Sequence, residues 1–260
     1  MITVVITNKK GGVGKTTTAY NLAAMLQDRG YKTLAIDLDP QCSLTKMAGL
    51  TSHTGPSSYG VIAKEVKCKD AIIPMGFFDL IPGSKSLISA ENTLPEGIGR
   101  LMRVRDALTE VRDDYDFAVL DNAPAMGVIA INSLMAGNYV VIPAEANELS
   151  TDGIISVYES ITDMKNYMET NIKIAGILLT RYKTKTNLNQ EYLKIFRKLA
   201  KEMNTKVFKQ PIRESVGLSE MPSVHLPIHK HRPHSNAHLD YNSFVEELLD
   251  EVKKDVNNHG

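Results

Sequence analysis

A chain of 260 residues, 43% hydrophobic and 23% charged, is long enough to bury a sizeable core and has an ordinary globular composition. Thirty basic residues balance thirty acidic ones, so no global charge announces a nucleic-acid or membrane partner, and any such surface has to come from local clustering. The only cysteines, Cys42 and Cys68, exclude a disulfide framework and a cysteine zinc set. With no long apolar run and no basic leader, the expectation is a soluble, cytoplasmic protein with no membrane partner.

In chain order, short β-branched runs alternate with longer stretches of helical spacing. Ile2–Thr7 reads as a first strand, followed by a glycine-rich turn and a helix over Thr16–Asp28. Further strands are expected at Thr33–Asp37, Phe78–Ile81, Phe117–Asp121, Tyr139–Pro143, Ile174–Thr180 and Lys206–Phe208. Helices are expected at Gly99–Arg112, Gly153–Tyr167 and Asn189–Met203. The runs AVLD, YVVIP and IAGILLT are nearly continuous in apolar residues, the pattern of strands covered by helices on both faces. This alternation predicts an α/β fold, a doubly wound and mostly parallel sheet flanked by helices. No repeat, linker or break in composition divides the chain, so residues 1–260 are expected to form a single domain with a helix at about 240–255 packed on it. No helix-turn-helix is expected ahead of the first strand, and with it no operator-specific DNA reading.

The turn after the first strand reads TNKKGGVGKTTT. Gly11, Gly12, Val13, Gly14, Lys15 and Thr16 follow a strand and open a helix, the setting that a phosphate-binding loop requires. Glycines let the backbone curl so that its N–H groups face phosphates, and the helix N-terminus adds its dipole. Lys15 is placed to reach the β- and γ-phosphates of a nucleotide, and Thr16 to offer a hydroxyl to Mg²⁺. The ordinary loop wants a glycine at position 9, where Lys9 stands, so the match is to the variant K-G-G-x-G-K-[ST] that begins at Lys10. Within one chain Lys10 duplicates a charge that Lys15 already supplies.

Two further segments bring carboxylates to strand ends. LAIDLDPQ closes a strand on Asp37 and Asp39, and residues at the carboxyl ends of strands in an open α/β sheet face the ligand crevice. Such a pair can hold a magnesium-bound water and orient an attacking one, or can cap a solvated Asp-Pro turn. YDFAVLDNAP closes another strand on Asp121, which fits a carboxylate beside Mg²⁺ or a buried structural hydrogen bond.

NKKGGVGKTTTAYNLA, IDLDPQ, YDFAVLDNAP and PIRESVGLSEMPS together resemble the ParA/Soj family of partition ATPases, in the wider group that includes MinD; the likeness runs from Met1 to about Val252. The resemblance implies ATP and Mg²⁺ as cofactors and a homodimer that forms on ATP. It implies that Lys10 crosses a nucleotide-sandwich dimer to the phosphates held by the partner subunit. By the same resemblance Asp39 orients the attacking water, Asp37 and Asp121 serve the metal with Thr16, and Thr17 touches the α-phosphate. Thr180, Arg181, Pro211 and Arg213 lie where the family has its adenine pocket. Two departures stand out: Asn122-Ala123-Pro124 replaces a pair of prolines, and Ala144-Glu145 replaces a segment that often carries glutamine. Both fall near the implied dimer face.

Between Arg181 and Lys209, nine basic residues (Arg181, Lys183, Lys185, Lys194, Arg197, Lys198, Lys201, Lys206 and Lys209) face two acidic ones, a net charge of +7. Lys194, Arg197, Lys198 and Lys201 recur at three- and four-residue spacing and share one helix face. The row reads as a solvated face or as a phosphate-binding one. The resemblance favours non-specific DNA, a nucleoid-associated ATP state, and a ParB-like, centromere-binding activator. A MinD-like role would want a basic C-terminal helix, and FVEELLDEVKKDVNNHG is acidic. The alternative of a positioning ATPase with a membrane or protein cargo therefore keeps less support. An iron–sulfur relative would need paired cysteines, which Cys42 and Cys68 do not provide.

Overall fold

The computed structural model describes residues 1–125, 127–168, 170–183 and 187–259. The strands are β1 (Ile2–Ile6), β2 (Thr33–Leu38), β3 (Ile73–Pro74), β4 (Asp79–Ile81), β5 (Phe117–Asn122), β6 (Tyr139–Ala144) and β7 (Lys173–Leu179). The helices are α1 (Lys15–Asp28), α2 (Ser43–Met47), α3 (Ser58–Ala63), α4 (Ala90–Thr93), α5 (Arg103–Thr109), α6 (Val128–Ala136), α7 (Glu148–Tyr167), α8 (Asn187–Glu202), α9 (Val216–Val224), α10 (Ile228–His231) and α11 (Asn236–His259).

The strands form one sheet in the order β3-β4-β2-β5-β1-β6-β7. Every neighbouring pair is parallel except β3 with β4. From β1 the chain winds first toward β2 and later toward β6, so β1 is the point where the winding reverses. In such sheets a crevice opens beyond the carboxyl ends of the strands at that point, and the glycine-rich loop leaves β1 there.

Two apolar layers cover the sheet, because successive strand residues point to opposite faces. Val5, Ile36, Leu120, Val140 and Ile142 pack with Val61, Leu108, Leu134, Ile154 and Phe196 from α3, α5, α6, α7 and α8. Val4, Ile6, Ala35, Val119 and Val141 pack with Leu22, Leu26, Phe244 and Leu248 from α1 and α11. The full burial of β2, β5 and β6, and of β1 from Thr3 on, explains why these strands read as nearly unbroken apolar runs.

The expected doubly wound sheet is present, with differences in detail. Lys206–Phe208 contributes a single bridge, Ile177 to Val207, and no strand. The segment expected as one helix from Gly99 divides into a tight turn at Ile98–Leu101 and α5. The antiparallel β3 is two residues long and ends on a proline, too short to show a period. Helix α6 is apolar on all sides (VIAINSLMA), so it lacks the amphipathic period that marks a surface helix.

Candidate functional site

The loop is shaped by residues on both sides of it. Gly12 and Gly14 have φ of 77° and 81°, a left-handed backbone that residues with a Cβ rarely adopt, and Gly14 caps α1. Val13 is fully buried, and its carbonyl accepts a hydrogen bond from Thr180 Oγ1 at 2.9 Å, which ties the loop to the end of β7. Asn8, also fully buried, anchors the loop's entry: its Nδ2 donates to the Pro143 carbonyl (2.7 Å) and its Oδ1 accepts from the Lys10 N–H (2.9 Å). The Lys15 amine donates to the Lys10 carbonyl at 2.9 Å. Burial lowers the Lys15 pKa, and the nearby carboxylates of Asp121 and Asp39 pull it back up. The Lys10 amine points elsewhere, donating to Asn147 Oδ1 at 2.8 Å and lying 3.7 Å from Glu145 Oε2.

Strand register sets Asp37 of β2 directly beside Asp121 of β5, and Ile6 of β1 on the other side of Asp121. Both carboxylates are fully buried. The sequence gives them one shared role, and the structure separates them. Asp37 is held by three protein donors: Thr45 N–H at 2.9 Å, Thr45 Oγ1 at 2.6 Å and Asp39 N–H at 3.1 Å. Gly83 packs so closely behind it that any Cβ would collide with the Asp37 carboxylate. Asp37 thus braces Thr45 and Asp39, with both donors from Thr45 on Oδ2 and the Asp39 N–H on Oδ1. Burial pushes its pKa up to about 6, against the pull of Thr45 and Asp39.

Asp121 is the open carboxylate. Neither of its oxygens completes a hydrogen bond, although the Thr16 hydroxyl faces it. Burial, followed by the Asp37 charge, holds its pKa well above the usual carboxylate range. Buried polar atoms are almost always satisfied, so the two unsatisfied Asp121 oxygens facing a threonine hydroxyl fit a hard divalent cation with oxygen ligands. Asp39 is also buried, with Oδ1 held by the Gln41 N–H at 2.8 Å.

A cavity of about 520 Å³ adjoins the loop, lined by Gly14, Thr17, Thr180, Arg181, Arg213 and Tyr241 among others. Its size suits a nucleoside. Arg213 is held there by Asp240, a 1% exposed carboxylate on α11 that takes Arg213 Nη2 at 2.6 Å, Nε at 2.9 Å and the backbone N–H at 3.0 Å. Pro211 lies outside the cavity wall, although Gln210 beside it also reaches Asp240. Asp240→Ala is expected to cost about 2 kcal/mol of stability in urea unfolding, a buried-pair loss discounted because Arg213 is one-third exposed.

The basic segment divides. Arg181 pairs with Glu145 at 3.2 Å, Lys183 with Glu214 at 3.2 Å, and Lys206 with Glu247 and Glu251 at 3.3 and 2.9 Å. These contacts partly offset the charge of Arg181, Lys183 and Lys206, and the side chains of the first two stay largely exposed. Lys185 lies outside the described residues. Lys194, Arg197, Lys198 and Lys201 are exposed along α8, while Phe196 and Ala200 are buried on its other side. No ion pair among the described residues involves these four cations.

Comparison with known proteins decides the family. A family profile described as an AAA domain matches residues 1–174. The sporulation initiation inhibitor protein Soj of Bacillus subtilis is 32% identical over 94% of this chain and 97% of its own. The chromosome-partitioning ATPase Soj of Treponema pallidum is 33% identical over 95% and 96%. The chain belongs to the ParA/Soj family. Its fold is also that of a cobyrinic acid a,c-diamide synthase from Mycobacterium smegmatis solved with ADP and magnesium, at a TM-score of 0.84, 27% identity and coverage of 97% and 96%.

Within this ParA/Soj chain, sequence reading located the loop, the acidic strand ends and the basic helix. It missed the residues that fix them: Asn8 under the loop, Thr45 on Asp37, Asn147 on Lys10 and Asp240 on Arg213. Asn8 carries the one available signal, since it is a polar residue directly following a buried strand and preceding the glycines.

Proposed function

We propose that this ParA/Soj chain is a partition-type ATPase. It closes into a dimer around two ATP molecules, holds DNA without regard to sequence in that state, and leaves DNA when a ParB-like activator accelerates hydrolysis. Its cargo is a plasmid, a chromosome or a mobile element, and its ATP state is nucleoid-associated within the cytoplasm. The name of the Treponema relative as a chromosome-partitioning ATPase, and the ADP and magnesium in the mycobacterial structure, support this reading.

Each residue then has a task. Backbone N–H groups of Gly11, Gly12, Val13 and Gly14 cradle the phosphates, and Lys15 moves from the Lys10 carbonyl to the β- and γ-phosphates. Thr16 and Asp121 hold Mg²⁺, which when bound offsets phosphate charge; Asp37 serves it indirectly by fixing Thr45 and Asp39. Asp39 orients the attacking water. Thr17 meets the α-phosphate, and the base lies between Thr180, Arg181 and Arg213. Lys10 crosses to the phosphates of the partner subunit, where a cation stabilises charge developing in hydrolysis. Two subunits thus depend on an intact γ-phosphate, and its loss releases them.

The observation that carries the DNA reading is the row of four exposed, unpaired cations on α8 in a chain of zero net charge. A dimer doubles that row, and phosphate contacts need no base readout. Lys194, Arg197 and Lys198 changed together to Glu are expected to weaken ATP-dependent retention on random-sequence duplex DNA by about 100-fold or more at moderate salt, while ATP binding is kept. Retention in gel shift at increasing salt is the measurement. Undiminished retention would place DNA elsewhere on the molecule. ATP-dependent association without any DNA retention in the parent protein would favour a membrane or protein cargo.

A further inference from the structure

Lys10 is not free in the isolated chain. Its amine donates to Asn147 Oδ1 at 2.8 Å and lies 3.7 Å from Glu145 Oε2, with its side chain only 20% exposed. The other oxygen of the same carboxylate takes Arg181 Nη1 at 3.2 Å. Asn147 Nδ2 supports the carboxylate at 3.3 Å, and the Glu145 N–H donates to Ser150 Oγ at 3.1 Å. Asn147 also caps α7, its Oδ1 accepting from the Ser150 N–H at 3.1 Å, so the groups that hold Lys10 sit between the end of β6 and the start of a 20-residue helix. Arg181 adopts φ of 48°, a left-handed backbone rare outside glycine, and its guanidinium reaches Glu145 from there.

We infer that Glu145 is a positioning residue: its carboxylate, with Asn147, holds the Lys10 amine in a pose particular to the separate subunit, which must be released before Lys10 can engage a second subunit. The inference rests on the reading of Lys10 as a lysine that acts on the partner's phosphates. Lys10 reaches Glu145 by its side chain alone, since its N–H is pinned by Asn8 and its carbonyl by Lys15. Release is thus a change of side-chain rotamer that leaves the loop in place. Arg181 shares the carboxylate and also lines the cavity beside Thr17. An occupant that attracts Arg181 therefore acts on the same anchor that holds Lys10. Glu145 opposes assembly by holding the lysine that assembly needs.

Two readouts on the full chain test this. In the nucleotide-free protein, the rate at which an amine-acylating ester modifies Lys10, followed by peptide mass spectrometry, is expected to rise about three- to tenfold in Glu145→Ala and less in Glu145→Gln. Lys253 and Lys254, exposed on α11, provide the reference rate. In sedimentation velocity with AMPPNP, the dimer dissociation constant of Glu145→Gln is expected to fall about three- to tenfold relative to the parent. In a Lys10→Met background the same change should move it less than about twofold. Unchanged Lys10 modification in both variants overturns the inference. Faster modification with an unchanged or weaker AMPPNP dimer overturns the claim that the hold opposes assembly. Faster modification when neither protein dimerises confirms the hold and defeats the reading of Lys10 as acting between subunits.

Discussion

Lys10→Ala is expected to bind ATP within about threefold of the parent and to lose activator-stimulated hydrolysis by about 10³-fold, the scale of a cation supplied in trans to a phosphoryl group. The preserved affinity follows from how the loop is built. The contacts that Lys10 makes to its own loop are backbone contacts: its N–H to Asn8 Oδ1 and its carbonyl to the Lys15 amine. Both survive truncation of the side chain. Gly12, Gly14 and the Val13–Thr180 bond, which set the remaining curvature, do not involve it. The amine itself is directed to Asn147 and Glu145. Titration with a fluorescent ATP analogue, phosphate release with DNA and activator, and sedimentation with AMPPNP measure the three parts. Loss of nucleotide binding would assign the Lys10 amine to its own subunit's phosphates and remove the intersubunit role.

The fold was legible in the sequence wherever burial makes a pattern. β1, β2, β5 and β6 are covered on both faces, so they read as apolar runs, and their alternation with helices was enough to give a doubly wound sheet. β3, α2 and α6 were not legible, because their conformations are set by neighbours and not by local period. The loop was legible because phosphate binding by backbone N–H groups demands glycine at particular places, and Gly12 and Gly14 have the backbone that demand predicts. The two aspartates at adjacent strand ends were legible as a pair but not as individuals. Telling Asp37 from Asp121 needs Thr45 and Gly83, which are 8 and 46 residues from Asp37 and announce nothing by themselves. Net charge was equally ambiguous over 181–209, since the acids that partly offset Arg181, Lys183 and Lys206 come from outside that segment: after β6, before α9, and on α11.

Asp121→Asn separates the metal role from the structural one. Asp37 and Asp121 both have raised pKa values in the folded chain, Asp37 at about 6 and Asp121 in the same direction. A carboxyl group whose folded pKa lies above its unfolded value binds more protons in the native state. Its contribution is therefore most favourable below about pH 4 and is lost as pH rises through the folded pKa. The metal-free protein is accordingly expected to lose melting temperature between about pH 4 and pH 6 from Asp37, with a loss of the same sign from Asp121 as pH rises. Mg²⁺ with ATP at pH 8 reverses the loss by binding the folded state alone. In Asp121→Asn the metal-free protein at pH 8 is expected to gain about 2 kcal/mol, roughly 4–8 °C, because an unpartnered buried charge is removed. The gain is limited to that size because Lys15 loses the Asp121 charge and keeps only Asp39. The Mg²⁺-dependent part of the ATP-induced stabilisation should then disappear, and hydrolysis with it. Calorimetric melting at pH 5 and pH 8, with and without Mg²⁺ and ATP, reads all of these outcomes. A lower melting temperature for the metal-free variant at pH 8 would mean that the Asp121 carboxylate already has a partner in the folded chain. Undiminished Mg²⁺ dependence would move the metal to another carboxylate at that end of the sheet, Asp37 or Asp39.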